Sequence, residues 1–126
     1  MELHESGEMY LETILLLKSR FGYVRSIDIA RELGYSKPSV SRAVSRLREN
    51  DYICLDPNGM ILLTDKGMEI AERIYDRHKH LSLFLESIGV SPKTAQEDAC
   101  RIEHVISDET LDAIKKQLLK QQQQRP

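Results

Sequence analysis

Two short helical stretches separated by only three residues, and followed at once by a hairpin pattern, constrain this chain more than any other feature. The first runs from Ile27 to Leu33, with Ser26 as its expected N-cap and Gly34 as the residue that ends it. Ser36 caps the next helix, which continues to about Glu49 and tolerates Pro38 in its first turn, where no intrahelical N–H is needed. Gly34-Tyr35-Ser36 has the length of the turn in a helix-turn-helix. Upstream, Glu8 to Lys18 places Met9, Leu11, Ile14, Leu15 and Leu17 among the apolar positions of an amphipathic helix that Gly22 breaks. Downstream, Tyr52-Ile53-Cys54-Leu55 and Met60-Ile61-Leu62-Leu63 flank Asp56-Pro57-Asn58-Gly59, two apolar runs around a turn cluster. Three helices and a hairpin wing make a winged helix.

The remainder reads as helical throughout. Thr64 caps a helix that carries Ile70, Ala71, Ile74 and Tyr75 on towards Leu85. Ser91-Pro92 starts another, and Ser107 caps a last one through about Lys120, leaving Gln121 to Gln124 as a low-complexity, frayed tail. With 126 residues and a 40% hydrophobic share, the chain has material for a core. No apolar run approaches the roughly 18–20 residues a membrane span requires. The opening Met1-Glu2-Leu3-His4-Glu5 is acidic and lacks the basic and apolar regions of a signal peptide, so a soluble cytoplasmic protein with no membrane partner is expected. Cys54 and Cys100 are too few for a disulfide framework and are expected to be reduced thiols.

Net charge is only −2, but the charges are segregated. Between Lys37 and Arg48 stand Lys37, Arg42, Arg46 and Arg48 with no acid, whereas Glu97, Asp98, Glu103, Asp108, Glu109 and Asp112 face Arg101 alone further on. A basic front half suits an anion and an acidic back half suits a cation. On the third helix Val40, Ala43, Val44 and Leu47 form the apolar stripe, which leaves Lys37, Ser39, Ser41, Arg42, Ser45 and Arg46 for solvent or a ligand. Small hydroxyls permit close approach to a groove, and arginines clamp phosphates or bond guanine bidentately. Ser36, Lys37, Pro38, Ser39, Ser41, Arg42 and Arg46 are therefore the candidate DNA-reading residues, with Arg25 and Arg31 placed to extend phosphate contacts. Ser39, Ser41 and Arg42 rank first, being near the helix end that enters a groove. The bland alternative is a solvated basic face on a metal-independent winged helix that binds DNA without control, or binds protein.

Cys100-Arg101-Ile102-Glu103-His104 sets a thiol, a carboxylate and an imidazole at i, i+3 and i+4, one helix face. Sulfur with nitrogen and oxygen is a donor set for a first-row transition metal. Met9 and Glu12, at i and i+3 on the first helix, and His78 and His80 on the long middle helix are candidates to complete the site. Each alone has an ordinary reading: Met9 as core, Glu12 as a solvated acid, the two histidines as surface in a charged run, Cys100 as a small buried hydrophobe. The joint occurrence of Cys100, Glu103 and His104 at helical spacing favours metal. The enzyme reading of Cys100 and His104 as a thiol–imidazole pair lacks an orienting Asn or Asp, an oxyanion loop and a Gly-rich elbow, so no enzyme is expected.

This order of features resembles the diphtheria-toxin-repressor family of metal-dependent transcriptional regulators (DtxR and MntR types). The resemblance runs from Glu8-Met9-Tyr10-Leu11-Glu12 to Ser107-Asp108-Glu109 and is most specific over Glu97 to Glu109, with Leu63-Thr64-Asp65-Lys66-Gly67 also matching. It implies a mostly α chain: an N-terminal winged helix-turn-helix (three helices plus a two-stranded β-hairpin wing) at residues 1–72, then an all-helical metal-binding and dimerisation domain at 73–126. It further implies a homodimer that represses metal-homeostasis genes on double-stranded operator DNA when Fe²⁺ or Mn²⁺ is bound. Met9, Cys100, Glu103 and His104 match the primary site of the iron branch, His78 an ancillary histidine, and Glu12 a glutamate of the manganese branch. Manganese-type members usually place Asp at the position of Met9 and Glu at that of Cys100. Iron-type members usually add an SH3-like domain, for which the sequence has no room, and use ancillary positions that here hold Ser82 and Gln96. A thioether with a thiolate shifts the expectation to Fe²⁺, with Mn²⁺ close behind and Zn²⁺, Co²⁺ or Ni²⁺ as in-vitro ligands. Leu81, Phe84, Leu85 and Ile88 are the expected dimer-burying residues.

Overall fold

The structure is a computed structural model, described here for Leu3 and residues 5–123; the start of the acidic leader segment and the end of the glutamine tail lie outside the described residues. Its elements are α1 (Glu5–Phe21), α2 (Ser26–Leu33), α3 (Lys37–Glu49), β1 (Ile53–Leu55), β2 (Ile61–Leu63), α4 (Asp65–Ser87), α5 (Pro92–Ile102) and α6 (Asp108–Gln123). The chain divides into two compact units, Met1–Arg73 and Ile74–Pro126.

In the first unit α1, α2 and α3 pack on one another, and α1 and α3 pack on the hairpin. Leu11, Ile14 and Leu17 of α1, Ile29 of α2, and Val40 and Leu47 of α3 meet Val24, Ile53 and Ile61 in the core. The hairpin is antiparallel, with Ile53 opposite Leu63, Cys54 opposite Leu62 and Leu55 opposite Ile61. The period of two puts Ile53 and Ile61 on the buried face and leaves Cys54 exposed. Asp56 closes the turn: its Oδ1 accepts from the amides of Asn58 and Met60 at 2.8 and 2.9 Å, while Gly59 takes φ +78°. Ile61 N–H donates to Val24 O at 2.8 Å, fastening the wing beside the loop before α2.

Local caps explain where these helices begin. Ser36 Oγ accepts from Ser39 N–H at 3.3 Å, as its residue type predicts. Ser26, by contrast, is the first helical residue and not the cap. Arg25 is the N-cap, and the Asp28 carboxylate at N3 accepts its amide at 2.9 Å, the reach-back bond of a capping box and a different one from that expected of a Ser26 hydroxyl. Gly34 adopts φ +71° at the end of α2, the left-handed conformation that a turn of this length demands.

In the second unit the buried side chains are Ile74 and Leu81 of α4, Ala95 and Ala99 of α5, Leu111 of α6, and the acidic Glu103 with Ser82. Two alanines at i and i+4 give α5 a flat face that permits close approach. Lys115 Nζ on α6 reaches Asp76 Oδ2 on α4 at 2.7 Å. Leu81 is only 2% exposed and so belongs to the chain's own interior, which corrects its expected place on a dimer surface. Phe84 and Leu85 are half-buried, and Leu83 and Ile88 stand exposed.

Candidate metal centre and nucleic-acid face

The exposed side of α3 carries the predicted basic set. Lys37, Pro38, Ser41, Arg42, Ser45 and Arg46 are exposed and Ser39 half-buried, while Val40, Val44 and Leu47 are buried. The serines at its N-terminus are partly committed to the helix itself. Ser36 Oγ donates to Ser39 Oγ at 2.8 Å, and Arg42 Nη2 reaches that same Ser39 oxygen at 3.5 Å. Ser39 thus orients Arg42 as well as offering a hydroxyl. Lys37 and Ser41 line a shallow groove with Ser26 and Ile27 of α2. Arg25 is exposed at the start of α2, its Nε 3.4 Å from Met60 Sδ and its guanidinium 6.0 Å from the Tyr23 ring centre. The contact with Met60 links the arginine to the turn end of the wing. Arg31 is exposed on α2, apart from any bonded network among the described residues.

The second unit gathers His78, Cys100 and Glu103, whose ligand atoms all lie within 4.8 Å of one another. Cys100 is exposed, His78 half-buried and Glu103 fully buried. His78 Nδ1 and Glu103 Oε2 share a hydrogen bond of 2.8 Å. The other carboxylate oxygen, Oε1, lies 3.4 Å from His104 Nε2 yet takes no hydrogen bond from the described residues. A carboxylate without exposed surface is costly to keep charged unless a cation or several donors offset the lost water. Nitrogen, sulfur and oxygen donors converging beside a buried, incompletely bonded carboxylate fit a divalent transition-metal ion.

The arrangement differs from the one-face picture. α5 ends at Ile102, and Glu103 is its C-cap, with φ −57° and ψ −25°. His104 already lies in the turn beyond, so it reaches the cluster through Glu103 and is not a member of the mutually close trio. His80 is held elsewhere: its Nδ1 is 2.8 Å from Asp76 O and 3.2 Å from Asp76 Oδ1. Partial burial raises the Asp76 carboxyl pKa, but the hydrogen bond from Lys115 and the charges of His80, Lys115 and Lys79 outweigh it, leaving a lowered value. Ser82 is buried on α4 and Gln96 exposed on α5. Met9 and Glu12 lie on α1 in the first unit, Met9 half-buried and Glu12 5% exposed; Thr13 Oγ1 bonds Met9 O at 2.8 Å.

One residue escaped sequence reasoning altogether. Arg77, next to His78, donates from Nη1 to Glu103 O and Ile106 O, both at 3.1 Å, and pairs through Nη2 with Asp108 Oδ1 at 2.8 Å. The only available signal was an arginine inside Asp76-Arg77-His78-Lys79-His80, which reads equally well as a solvated charged run.

Comparison with known proteins agrees with both halves. The N-terminal DNA-binding domain of the iron-dependent repressors matches residues 2–60, and their metal-binding and dimerisation domain matches residues 64–125. An HTH-type transcriptional regulator of Methanocaldococcus jannaschii is 36% identical over 115 residues, covering 90% of this chain and 92% of that protein. The transcriptional regulator MntR of Salmonella typhimurium is 38% identical over 104 residues, 82% of this chain and 66% of that one. Among solved structures, the manganese regulator SloR superposes with a TM-score of 0.79 at 29% identity, covering 94% of this chain. IdeR of T. acidophilum gives 0.79 at 26% identity, again over 94%. This chain spans 54% of the SloR chain and 55% of the IdeR chain, about half of each.

Proposed function

The chain belongs to the iron-dependent repressor family, a family of transcriptional regulators and not of enzymes, and from that premise we propose that it is a cytoplasmic, metal-dependent repressor of metal-homeostasis genes. The observation that carries this reading is the convergence of His78, Cys100 and Glu103 within 4.8 Å. Those three residues would hold Fe²⁺ or Mn²⁺, with His104 beside them through Glu103. An ion bound there would supply a positive charge that attracts the buried carboxylate, the thiolate and the imidazole lone pair and offsets the cost of bringing them together away from water. Met9 and Glu12 enter the proposal by donor type, a thioether and a carboxylate, and substitution decides them.

Cys100 favours Fe²⁺ over Mn²⁺, because a thiolate suits the later and softer ions while all-oxygen sets suit manganese. The family resemblance alone does not separate the two, since relatives bear both iron and manganese in their names. DNA is read by α3, whose exposed Lys37, Ser41, Arg42 and Arg46 face away from the core. Two copies bring two such helices to the halves of a palindromic operator. Metal and operator each favour the same state of the protein, so each tightens the other by about 1–3 kcal/mol, the usual scale of such coupling. No helix among the described residues is long and apolar enough to cross a membrane.

Replacing Cys100 and Glu103 tests the site. Cys100→Ala and Glu103→Gln are expected to abolish the metal dependence of operator binding while far-UV circular dichroism stays that of a folded helical protein. Met9→Leu and Glu12→Gln run alongside decide whether those two donors belong. An unaltered metal response in the Cys100→Ala/Glu103→Gln double variant would refute the ligand assignment.

A further inference from the structure

Arg77 holds the main chain of the turn that follows α5 and carries Glu103. Its side chain is 12% exposed, and its guanidinium spans the close of α5: Nη1 to Glu103 O and Ile106 O, Nη2 to Asp108 Oδ1 in the first turn of α6. The last carbonyls of a helix have no intrahelical donors. Here Nη1 of the guanidinium donates to two carbonyls just beyond them, that of the C-cap Glu103 and that of Ile106, while Nη2 of the same planar group is held by Asp108. Glu103 is consequently gripped twice by consecutive residues of α4. His78 takes its carboxylate at 2.8 Å and Arg77 takes its main-chain oxygen at 3.1 Å. Successive side chains on a helix diverge by about 100°, so the two grips come from different directions.

We propose that Arg77 is the positioning residue of the metal centre. By pinning the main chain at Glu103 and Ile106 it sets where the Glu103 carboxylate and the Cys100 thiol stand relative to His78, and so governs metal affinity without touching the ion. A permanently cationic guanidinium cannot itself be a ligand. The inference rests on the reading that His78, Cys100 and Glu103 bind a divalent cation. Asp108 belongs to the device as the carboxylate that aims the fork. The contact between Lys115 and Asp76 offers an internal comparison, because it also ties α4 to α6 and makes no bond to the ligand-bearing turn.

The test titrates Co²⁺ anaerobically into the full-length reduced protein. Binding is followed by the thiolate-to-cobalt absorption and by competition with a chelator, and thermal unfolding is recorded for each metal-free variant. Arg77→Met is expected to weaken Co²⁺ binding by about tenfold or more, the usual cost of losing a group that orients a metal ligand. Arg77→Lys keeps the charge but replaces the fork by a point donor, so its affinity should fall between those of Arg77→Met and wild type. Lys115→Met should lower the melting temperature and leave Co²⁺ affinity at the wild-type value. Should Arg77→Met fail to fold, Arg77→Lys decides: wild-type affinity overturns the proposal and a several-fold loss supports it. Wild-type Co²⁺ affinity in Arg77→Met also overturns it, as does a Lys115→Met loss as large as that of Arg77→Met. If wild type itself shows no thiolate absorption, the metal reading beneath the proposal has failed, and that result is distinct because it appears before any substitution.

Discussion

A carboxylate with no exposed surface, as at Glu103, persists only where surrounding charge or hydrogen bonds replace the water it has lost. His78 supplies part of that at Oε2, and Oε1 is left for something more. That asymmetry is what makes the three donors a candidate site. Gly67 shows a different kind of single-residue constraint. A Cβ there would run into the main-chain oxygen of Tyr52, well inside contact distance, because the first turn of α4 is pressed against the strand that opens the wing. Thr64 fixes the same junction, its Oγ1 donating to Asp51 O at 2.6 Å and accepting from Gly67 N–H at 3.1 Å. Gly67→Ala should therefore destabilise the protein by at least about 1–3 kcal/mol in urea unfolding, the cost of overpacking against a neighbour with no room to yield. A stability equal to wild type would show that the wing shifts freely. Residue types announced Cys100 and Glu103 as candidate ligands, since few other roles combine a thiol and a carboxylate at that spacing. They did not announce Arg77, because its role depends on carbonyls at a helix end, and sequence specifies no partner for those.

At the level of elements, α3 was legible nearly to the residue: Ser36 as cap, Pro38 in the first turn, an apolar stripe on one side and a basic side without acids. The exposed side chains act as a set. Arg42→Ala should weaken operator binding and lower the steepness of its salt dependence by about one counterion, with metal titration unchanged. A titration of fluorescent operator at several salt concentrations measures both quantities, and an unaltered slope would move phosphate contact away from Arg42. The hairpin was equally plain as two apolar runs around Asp-Pro-Asn-Gly, while its register, Ile53 opposite Leu63, came from the structure. Helix ends were less so. Ser26 lost its expected capping role to Arg25, whose amide Asp28 accepts from inside the helix. α5 stopped at Ile102, two residues short of His104, and the turn towards α6 is held both by the amides of Val105 and Ile106 on Ile102 O and by Arg77. His80 likewise shares a helix with His78 but lies two residues on, about 200° around the axis, and finds Asp76 instead.

For the whole molecule, net charge conceals the division of labour that its distribution reveals: a basic recognition helix in one compact unit, acidic and sulfur donors in the other. Leu83 and Ile88, at 47% and 60% exposure, are apolar surface in the unit that the family uses for dimerisation, whereas Leu81 has been withdrawn into the interior. Amphipathic periodicity identifies that a helix has an apolar side; it does not say which part of that side faces the chain itself and which a second copy. The proposed coupling between the units is the central claim, and operator binding by the reduced, metal-free protein measures it most directly. Affinity for a palindromic operator of the family type is to be compared, anaerobically, in the presence of Fe²⁺, Mn²⁺, Zn²⁺ or a chelator. Binding should strengthen at least about fivefold with Fe²⁺ or Mn²⁺, in line with a coupling of about 1 kcal/mol or more, and fall back when chelator is added. Equal affinity with Fe²⁺, with Mn²⁺ and with chelator would contradict metal control and leave a winged helix that binds DNA without regard to its metal site.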